Sequence, residues 1–315
     1  MKNISMNTVA VLIPCFNEEK SIAQVVRDFR TQLPDAAIYV FDNNSTDNTA
    51  REARKAGAVV EQESRQGKGY VMRSMFRQIE ADIYVMVDGD GTYPADRVHA
   101  LIQPVAEGKA DMTIGSRLHP LSKSSFKYLH LTGNRFFLFV LNKLFRMHIS
   151  DLLSGYRALS RQTVKSLPIL SRGFEIEAEM TIKCFERGYR ISEIPVNLSI
   201  RQEGSKSKIN IVKDGFLILN TVFTLTRDYK PLTVFGSIAL ILLACGLAAG
   251  FTVTREYLLT GGVHGIQLTI VSAGFLLSAI ISFSVGLILH SISRHFQEQH
   301  QMLQNILMTN TNKSR

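Results

Sequence analysis

Two long apolar stretches near the C-terminus constrain this chain more than any other feature. Residues Thr233 to Thr254 and Ile266 to Leu289 contain no Asp, Glu, Lys or Arg. Each, folded as a helix, is long enough to cross the roughly 30 Å hydrocarbon core of a bilayer. The alternative, two buried helices of a soluble domain, fits such lengths poorly. We therefore expect a pair of transmembrane helices within residues 232–290.

Charges around these stretches predict their orientation. Arg227 and Lys230 precede the first stretch and Arg294 follows the second, whereas the link between them carries one arginine and one glutamate. Because basic residues favour the cytoplasmic side, both flanks are expected there, including a polar tail at 291–315 that begins helical and ends disordered. Small residues that suit packing within the hairpin or between copies of the chain are Gly246, Ala248, Ala249 and Gly250. A homo-oligomer is therefore left open.

The net charge of the chain limits the classes of binding partner that it suits. The chain has 36 Lys and Arg against 27 Asp and Glu, a net charge of +9, which suits phosphate-bearing substrates, an anionic membrane surface or nucleic acid. No long Lys/Arg run and no basic stripe interleaved with aromatic residues indicates a nucleic-acid module. Basic residues instead flank apolar runs at 123–148 and 201–213. This arrangement favours membrane and phosphate, and we expect no nucleic-acid partner.

The cysteines and the N-terminal sequence together predict a reducing compartment. Cys15, Cys184 and Cys245 lie far apart and lack the spacing of metal ligands. We expect them to be reduced, with no structural disulfide. No basic segment followed by a long apolar one opens the sequence, so no signal peptide is expected.

The part before the apolar stretches alternates strand and helix patterns. Apolar runs at Val9–Ile13, Ile38–Phe41 and Ile83–Val87 predict strands, with weaker ones at 59–60 and 112–114. Such alternation predicts an α/β fold with a mostly parallel sheet covered on both faces. Ligands bind such sheets at the carboxyl ends of the strands. We expect this catalytic domain to span residues 1–205.

Helix patterns lie between and after the predicted strands. One covers Glu18 to Gln32, and another runs from a Thr46 N-cap to Ala56, with Gly57 as its stop. Two basic amphipathic patterns, at 126–148 and 213–227, are either ordinary core helices or helices lying at the membrane interface. The second falls in a predicted juxtamembrane segment at 206–231.

Asp88-Gly89-Asp90 directly follows the strand at 83–87. Two carboxylates at a strand end, with a glycine between them that allows close approach, suit a hard divalent cation with oxygen ligands. Mg²⁺ or Mn²⁺ on a diphosphate would act there as a Lewis acid that neutralises a leaving phosphate. An ordinary Asx turn is the alternative.

The chain contains a set of motifs in fixed order: Leu12–Glu18, Phe41–Asp47, Gly67–Gly69, Asp88–Pro94, Gly115–Arg117, Asp151–Arg157, Arg201–Gly204, Ser207–Lys208 and Arg227–Pro231. Together they resemble the family-2 glycosyltransferases of GT-A fold, and within them the polyprenyl-phosphate hexosyltransferases related to dolichol-phosphate mannose synthase. Bacterial members often end in two membrane spans. The chain departs from the pattern at Asn43, where a second aspartate is usual, and at Thr92, where many members have glutamine.

The resemblance implies a nucleotide-sugar site and a role for each of its residues. The site would be formed by Pro14, Asn17, Glu18, Asp42, Lys68, Asp88, Gly89 and Asp90. Asp42 would contact the base or ribose. Asp88 and Asp90 would hold the nucleotide and a Mg²⁺ or Mn²⁺ cofactor, with Asp90 the more direct ligand.

The resemblance also implies an acceptor site for a lipid phosphate. Its candidate residues are Arg117, Arg135, Ser154, Arg201 and Lys208. Arg117 and Arg157 are expected to face phosphates and, with Asp88 and Asp90, to form the catalytic set. Guanidinium groups pair bidentately with phosphate oxygens, which gives such a site a physical basis.

The acceptor decides the mechanism. An alcohol needs a general base, whereas a phosphate monoester with a second pKa of about 6 is largely dianionic at neutral pH. We therefore expect positioning and charge stabilisation to dominate, and the resemblance implies inversion at the anomeric carbon. Glu175, Glu177 and Glu179 are expected to be solvated, because their spacing spreads them around a helix. Two other functions remain open for the chain: a glycosyltransferase with a polysaccharide or protein acceptor, and a catalytically silent membrane scaffold.

Overall fold

The computed structural model describes residues 8–118, 138–139, 141–199, 211–262 and 265–313. They form two compact units, Met1–Thr221 and Val222–Arg315. The division falls between the boundaries expected at 205 and 231. Of the predicted amphipathic helix at 126–148, residues 138–139 and 141–145 are helical, and the part before residue 138 lies outside the described residues.

The described part of the first unit contains seven strands and most of the helices. The strands are β1 Val9–Cys15, β2 Ala37–Asp42, β3 Val59–Gln62, β4 Ile83–Met86, β5 Met112–Ser116, β6 Arg157–Ser160 and β7 Ile191–Pro195. The helices are α1 Ile22–Gln32, α2 Thr49–Lys55, α3 Lys68–Gln78, α4 Val98–Ala106, α5 Arg161–Ser166, α6 Ile176–Glu186 and α7 Ile211–Tyr229, which runs into the second unit.

The strands form one sheet in the order β3-β2-β1-β4-β6-β5-β7. β6 pairs antiparallel with β4 and β5, and the remaining pairs are parallel. The prediction of a mostly parallel sheet is confirmed. The parallel arrangement brings the carboxyl ends of β1, β2 and β4 to one edge.

Alternation along β1 builds a core on both faces of the sheet. Val11 and Ile13 join the cluster that contains Phe29 of α1, while Ala10 and Leu12 join the cluster on the opposite face. Successive side chains of a strand point to opposite faces, so a continuous apolar run is what a strand covered on both sides requires. All four side chains are buried.

Several predicted helix and strand ends differ from the structure by one or more residues. α1 begins at Ile22 and not at Glu18, and β1 continues past Pro14 to Cys15. α2 begins at Thr49 with Asn48 at the N-cap position. Thr46 does not cap this helix, because it lies two residues before the N-cap position; its amide donates a 2.7 Å hydrogen bond to Asn17 Oδ1 instead. The stop at Gly57, with a φ of 92°, is as expected.

The second unit consists mainly of two long helices, α8 Pro231–Thr260 and α9 Ile266–Lys313. Both are long and apolar enough to cross a membrane. Gly246 lets Leu276 approach closely, and the Ser272 hydroxyl donates to the Gly246 carbonyl at 2.8 Å. Gly246 thus serves contact between the two helices. The tail was expected to become disordered, but α9 continues to Lys313.

Candidate active site

The loops after β1 and β2 are joined by hydrogen bonds between side chains and backbone. The Asn17 amide donates to Ser45 Oγ at 2.9 Å, and the Glu18 amide donates to Thr49 Oγ1 at 2.7 Å. Asn17 has a φ of 54°, in the left-handed region that asparagine tolerates better than most residues. These contacts bring Asn17 and Glu18 to the carboxyl edge of the sheet, where a nucleotide site was expected.

Asp42 ends β2 at this edge and is 5% exposed. Its Oδ2 accepts a 3.3 Å hydrogen bond from the Ser45 amide. Among the residues that the structure describes, its Oδ1 has no hydrogen-bond partner. A buried carboxylate oxygen without a donor is costly, so a ligand donor such as a base N–H or a ribose hydroxyl fits this position. Pro14 pairs in register with Phe41 on the adjoining strand.

Asn43 organises the loop that leads to the Gly-Lys-Gly segment. Its Nδ2 donates to the carbonyls of Glu63 and Arg65, each at 2.8 Å, and its Oδ1 accepts from the Gly67 amide at 2.7 Å. Aspartate at this position could not donate the first two bonds. The departure from the family pattern therefore has a structural role in this chain.

Gly67 and Gly69 are required by a close backbone approach. Gly67 has a φ of 135°, and a Cβ there would overlap the Arg172 carbonyl oxygen; a Cβ on Gly69 would overlap the Ser171 carbonyl oxygen. The Gly69 amide donates to the Arg172 carbonyl at 3.0 Å. The segment at 171–172 thereby fixes the backbone on both sides of Lys68.

Lys68 lies between two carboxylates. Its Nζ is 2.5 Å from Asp88 Oδ1 and 2.5 Å from Glu177 Oε1. Burial lowers the pKa of Lys68, but the charges of Asp88 and Glu177 outweigh burial and hold this pKa above its usual value. Burial raises the pKa of Glu177, against the effect of Lys68. Lys68 is therefore a protonated, positively charged group beside Asp88.

The Asp88-Gly89-Asp90 turn is held by its neighbours. A Cβ on Gly89 would lie 2.5 Å from Cys15 Sγ, and the Ser21 hydroxyl donates to the Gly89 carbonyl at 2.7 Å. Asp88 keeps 31% of its side chain exposed, and Asp90 is 8% exposed. The turn therefore leaves part of the Asp88 carboxylate open to a ligand at the strand end.

The donor chemistry at this turn fits a divalent metal. Asp90 Oδ1 accepts hydrogen bonds from the Thr92 amide at 3.1 Å and from its hydroxyl at 2.7 Å, so Thr92 orients this carboxylate. Within the described ranges, no group of three or more His, Cys, Asp or Glu side chains could hold a metal. Two carboxylates with further oxygen ligands from a diphosphate and water match how Mg²⁺ is usually bound.

Arg117 and Asp151 form a second charged pair near the site. Nε of Arg117 lies 2.7 Å from Asp151 Oδ2, and Nη2 lies 2.9 Å from Oδ1. Glu193 of β7 in turn accepts the amides of Ser150 and Asp151. Burial lowers the pKa of Arg117, but Tyr93, Asp151 and Asp88 raise it above its usual value.

Arg157 does not face a phosphate site. It is fully buried, and it donates to the carbonyls of Ser154 and Leu152, each at 2.8 Å, and to Thr181 Oγ1 at 2.7 Å. Burial lowers the pKa of this guanidinium. Because Nε, Nη1 and Nη2 all donate to protein acceptors, we reassign Arg157 from phosphate binding to support of the 152–154 backbone.

Ser154 is also placed differently from the expectation. It is fully buried, and its hydroxyl donates to the Gly115 carbonyl at 2.6 Å. The amide of the next residue, Gly155, donates to the Tyr93 hydroxyl at 2.9 Å. Ser154 therefore joins this segment to β5 instead of presenting a hydroxyl to a lipid phosphate. The remaining candidates, Arg135, Arg201 and Lys208, lie outside the described residues.

The expectation that the three glutamates around the start of α6 are solvated is wrong. Glu175, Glu177 and Glu179 are all buried. Glu175 accepts the Arg172 and Gly173 amides, and Glu179 accepts the Ser171 amide and pairs with Lys183 at 2.5 Å. Their spacing spreads them around the helix, but α6 is covered by protein on every side. The lysine four residues after Glu179 was the available signal.

The geometry places this chain in a known structural class. A solved structure of glucosyl-3-phosphoglycerate synthase from Mycobacterium tuberculosis, in complex with Mn²⁺, UDP-glucose and phosphoglyceric acid, is similar with a TM-score of 0.60 and 21% identity. The similarity covers 70% of this chain and 80% of that one. The fold is that of the GT-A glycosyltransferases.

Sequence comparison assigns the family. The model of glycosyl transferase family 2 matches residues 10–167, and the chain belongs to this family. Glycosyltransferase AglJ of Haloferax volcanii is 33% identical over 275 residues, covering 86% of this chain and 89% of that protein. The low-salt glycan biosynthesis hexosyltransferase Agl6 of the same organism is 30% identical, covering 88% and 68%. Protein RfbJ of Shigella flexneri is 48% identical over 122 residues, covering 39% and 95%.

Proposed function

We propose that this chain transfers a hexose from a UDP- or GDP-linked sugar to a polyprenyl phosphate of the undecaprenyl type, with inversion. The observation that carries the proposal is the cluster of Lys68, Asp88 and Glu177 at the carboxyl edge of the sheet, next to the second carboxylate of Asp90. It offers an ammonium and two carboxylates where a sugar diphosphate and a divalent cation would meet. The hexose agrees with the name of one relative.

The donor would bind across the ends of β1, β2 and β4. Asp42 Oδ1, buried without a partner among the described residues, would accept from the base or ribose. Asp88 and Asp90 would hold Mg²⁺ or Mn²⁺, which neutralises charge on the leaving diphosphate. A structural neighbour contains Mn²⁺ together with UDP-glucose, which supports this choice of ligands.

The acceptor would bring its own nucleophile. A phosphate monoester with a second pKa of about 6 is largely dianionic near neutral pH, so this chain need not remove a proton. Its task is to offset the repulsion between two anionic groups. Arg117, with 21% of its side chain exposed, would contribute to this, as would Arg135, Arg201 and Lys208, which are proposed from their sequence positions alone.

The location of the reaction follows from the helices. α8 and α9 would span a bacterial inner membrane, with the catalytic domain and the C-terminal tail on the cytoplasmic side. Phe216, Leu219 and Phe223 of α7 are largely exposed and share one side of that helix. Such a face suits contact with the bilayer surface, where a polyprenyl phosphate presents its head group.

A donor screen tests the proposal. Full-length protein in detergent would be incubated with polyprenyl phosphate, Mn²⁺ or Mg²⁺, and each of a set of labelled UDP- and GDP-hexoses. One donor should give a labelled lipid, and Asp90→Ala should abolish it, whereas Asp35→Ala, which changes an exposed carboxylate after α1, should not. Labelling of a polysaccharide or protein in place of the lipid would favour the other acceptors. No product with any donor would refute the proposal.

A further inference from the structure

Lys68 pairs with the carboxylate of Asp88, which a metal ion at this site would need as a ligand. Its ammonium lies 2.5 Å from Asp88 Oδ1, and only 10% of its side chain is exposed. The backbone on both sides is fixed, because Gly67 and Gly69 lie directly against the carbonyls at 171–172. The fold therefore holds the backbone of Lys68 within reach of Asp88, whereas the ion pair itself depends on the position of the Lys68 side chain.

Glu177 of α6 gives Lys68 a second, buried partner. It lies 2.5 Å from Lys68 Nζ and is 3% exposed. Two carboxylates and one ammonium leave this cluster with a net charge of −1. If Lys68 gave up Asp88, it would keep a buried counter-ion in Glu177. The lysine thus has an alternative arrangement whose desolvation is already compensated.

An ammonium and a divalent cation compete for the same carboxylate. At about 4 Å, like charges repel strongly in a partly buried site, and more so when one of them is divalent. Described residues offer no third carboxylate, histidine or cysteine to complete a metal site. A metal ion alone therefore faces both a competitor at Asp88 and an incomplete set of ligands.

We propose that Lys68 acts as an internal counter-ion that holds Asp88 until the donor diphosphate draws its ammonium away, so that metal and nucleotide bind together. The inference rests on the proposed donor and metal sites. A diphosphate oxygen gives the ammonium a new anionic partner, and Glu177 remains paired with it. Asp88 is thereby released to the cation. Lys68 is a positioning residue in this scheme, since it controls the availability of Asp88.

Calorimetric titration of Mn²⁺ into the full-length protein in detergent, with and without UDP, tests this. In the native protein, UDP should strengthen Mn²⁺ binding. In Lys68→Met, Mn²⁺ should bind about tenfold more tightly without UDP, because Asp88 is released from its ion pair. The factor by which UDP strengthens Mn²⁺ binding should fall.

A charge-matched variant separates displacement from general electrostatics. Lys68→Met also makes the cluster more negative, which by itself attracts a cation. Lys68→Met with Glu177→Gln keeps the net charge at −1 and removes the buried unpaired carboxylate. The inference predicts that Mn²⁺ binds this double variant more tightly than it binds the native protein without UDP. Equal or weaker binding would overturn it, and the double variant carries the test if the single one does not fold.

Asp90→Ala distinguishes a failure of this inference from a failure of the proposed site. If Mn²⁺ binds the native protein only with UDP, and Asp90→Ala abolishes this binding, the metal site stands and the Lys68 variants decide the inference. If neither native protein nor variants bind Mn²⁺ in the presence of UDP, the proposed metal site fails and the inference fails with it.

Discussion

Arg117 and Asp151 form a two-pronged ion pair that joins the end of β5 to the segment before β6. The guanidinium donates through Nε and Nη2 at 2.7 and 2.9 Å, and the Arg117 amide donates to the same carboxylate at 2.9 Å. Asp151 is 1% exposed. The pair therefore fixes the direction of the one charged side chain of the proposed acceptor site that the structure describes.

Asp151→Asn should destabilise the protein by about 3 kcal/mol, because the variant leaves the Arg117 guanidinium half buried without its counter-ion. Thermal unfolding in detergent should show a Tm lower by roughly 6–12 °C. Asp111→Asn is the matched control, since Asp111 makes the same two-pronged contact with Arg190, which is 58% exposed. That variant should cost about 1 kcal/mol or less. Equal losses would contradict the role assigned to burial.

Gly69→Ala should destabilise the protein by about 1–3 kcal/mol, because the new methyl group overlaps a backbone carbonyl that cannot rotate away. It should also lower donor affinity by displacing Lys68. Gly215→Ala in α7 is the control: a Cβ there meets nothing within 4 Å. This second change should leave stability unchanged or raise it slightly. Differential scanning fluorimetry and UDP titration measure both effects. A Gly69→Ala variant with unchanged stability would contradict the close approach of Gly69 to the Ser171 carbonyl.

Most of the fold could be predicted, because it depends on patterns local in sequence. The apolar runs at Val9, Ile38 and Ile83 all became strands, and the two uncharged stretches became the long helices α8 and α9. The ends of helices and strands were not predicted where they depend on contacts with side chains distant in sequence. Thr46 is a good capping residue by type, yet its amide is bonded to Asn17, which is 29 residues away in sequence.

The sequence predicted which residues lie at the carboxyl edge of the sheet, but not how their charges pair. Asp88 and Lys68 were both expected at the nucleotide site, but their contact, across 20 residues of chain, is visible only in three dimensions. Arg157 has the residue type of a phosphate ligand, and nothing local reveals that three acceptors enclose it. The burial of Glu177 was missed because its ion-pair partner, Lys68, lies on a different helix, far away in sequence.

Arg157→Met should lower the stability of the protein by about 2–4 kcal/mol, because it leaves two buried carbonyls and a hydroxyl without their donor. Arg161→Met is the control, since that residue is 58% exposed and pairs with a similarly exposed Glu80. Its loss should be within about 1 kcal/mol. Thermal unfolding of the two variants gives the comparison. A stable Arg157→Met protein that has only lost activity would restore the phosphate-binding role.

Glu63 should make stability depend on acid pH. The Arg65 guanidinium, followed by a hydrogen bond from Ser74, lowers the pKa of Glu63 to about 2. A carboxyl with a lowered folded-state pKa stabilises the fold above its unfolded value and loses that contribution as the pH falls. The contribution should therefore disappear between about pH 4.5 and 2. It amounts to about 1–2 kcal/mol, because Arg65 is largely exposed and solvent screens the pair.

Glu63→Gln isolates this contribution. Denaturation curves of the native protein and the variant should differ at pH 7 and converge toward pH 2, as Glu63 takes up a proton in the folded protein as well as in the unfolded one. Arg65→Gln should reproduce most of the loss at pH 7. A difference between native protein and Glu63→Gln that is the same at both pH values would show that the ion pair is not its source.

The proposed chemistry is tested most directly by comparing two acceptors that differ only in their phosphate. Purified full-length protein would receive the best nucleotide sugar and metal with either polyprenyl phosphate or the corresponding polyprenol, and products would be identified by mass. A phosphate acceptor that needs no general base predicts a hexosyl phosphodiester with the first lipid and no product with the second. Transfer to the polyprenol at a similar rate would contradict the account.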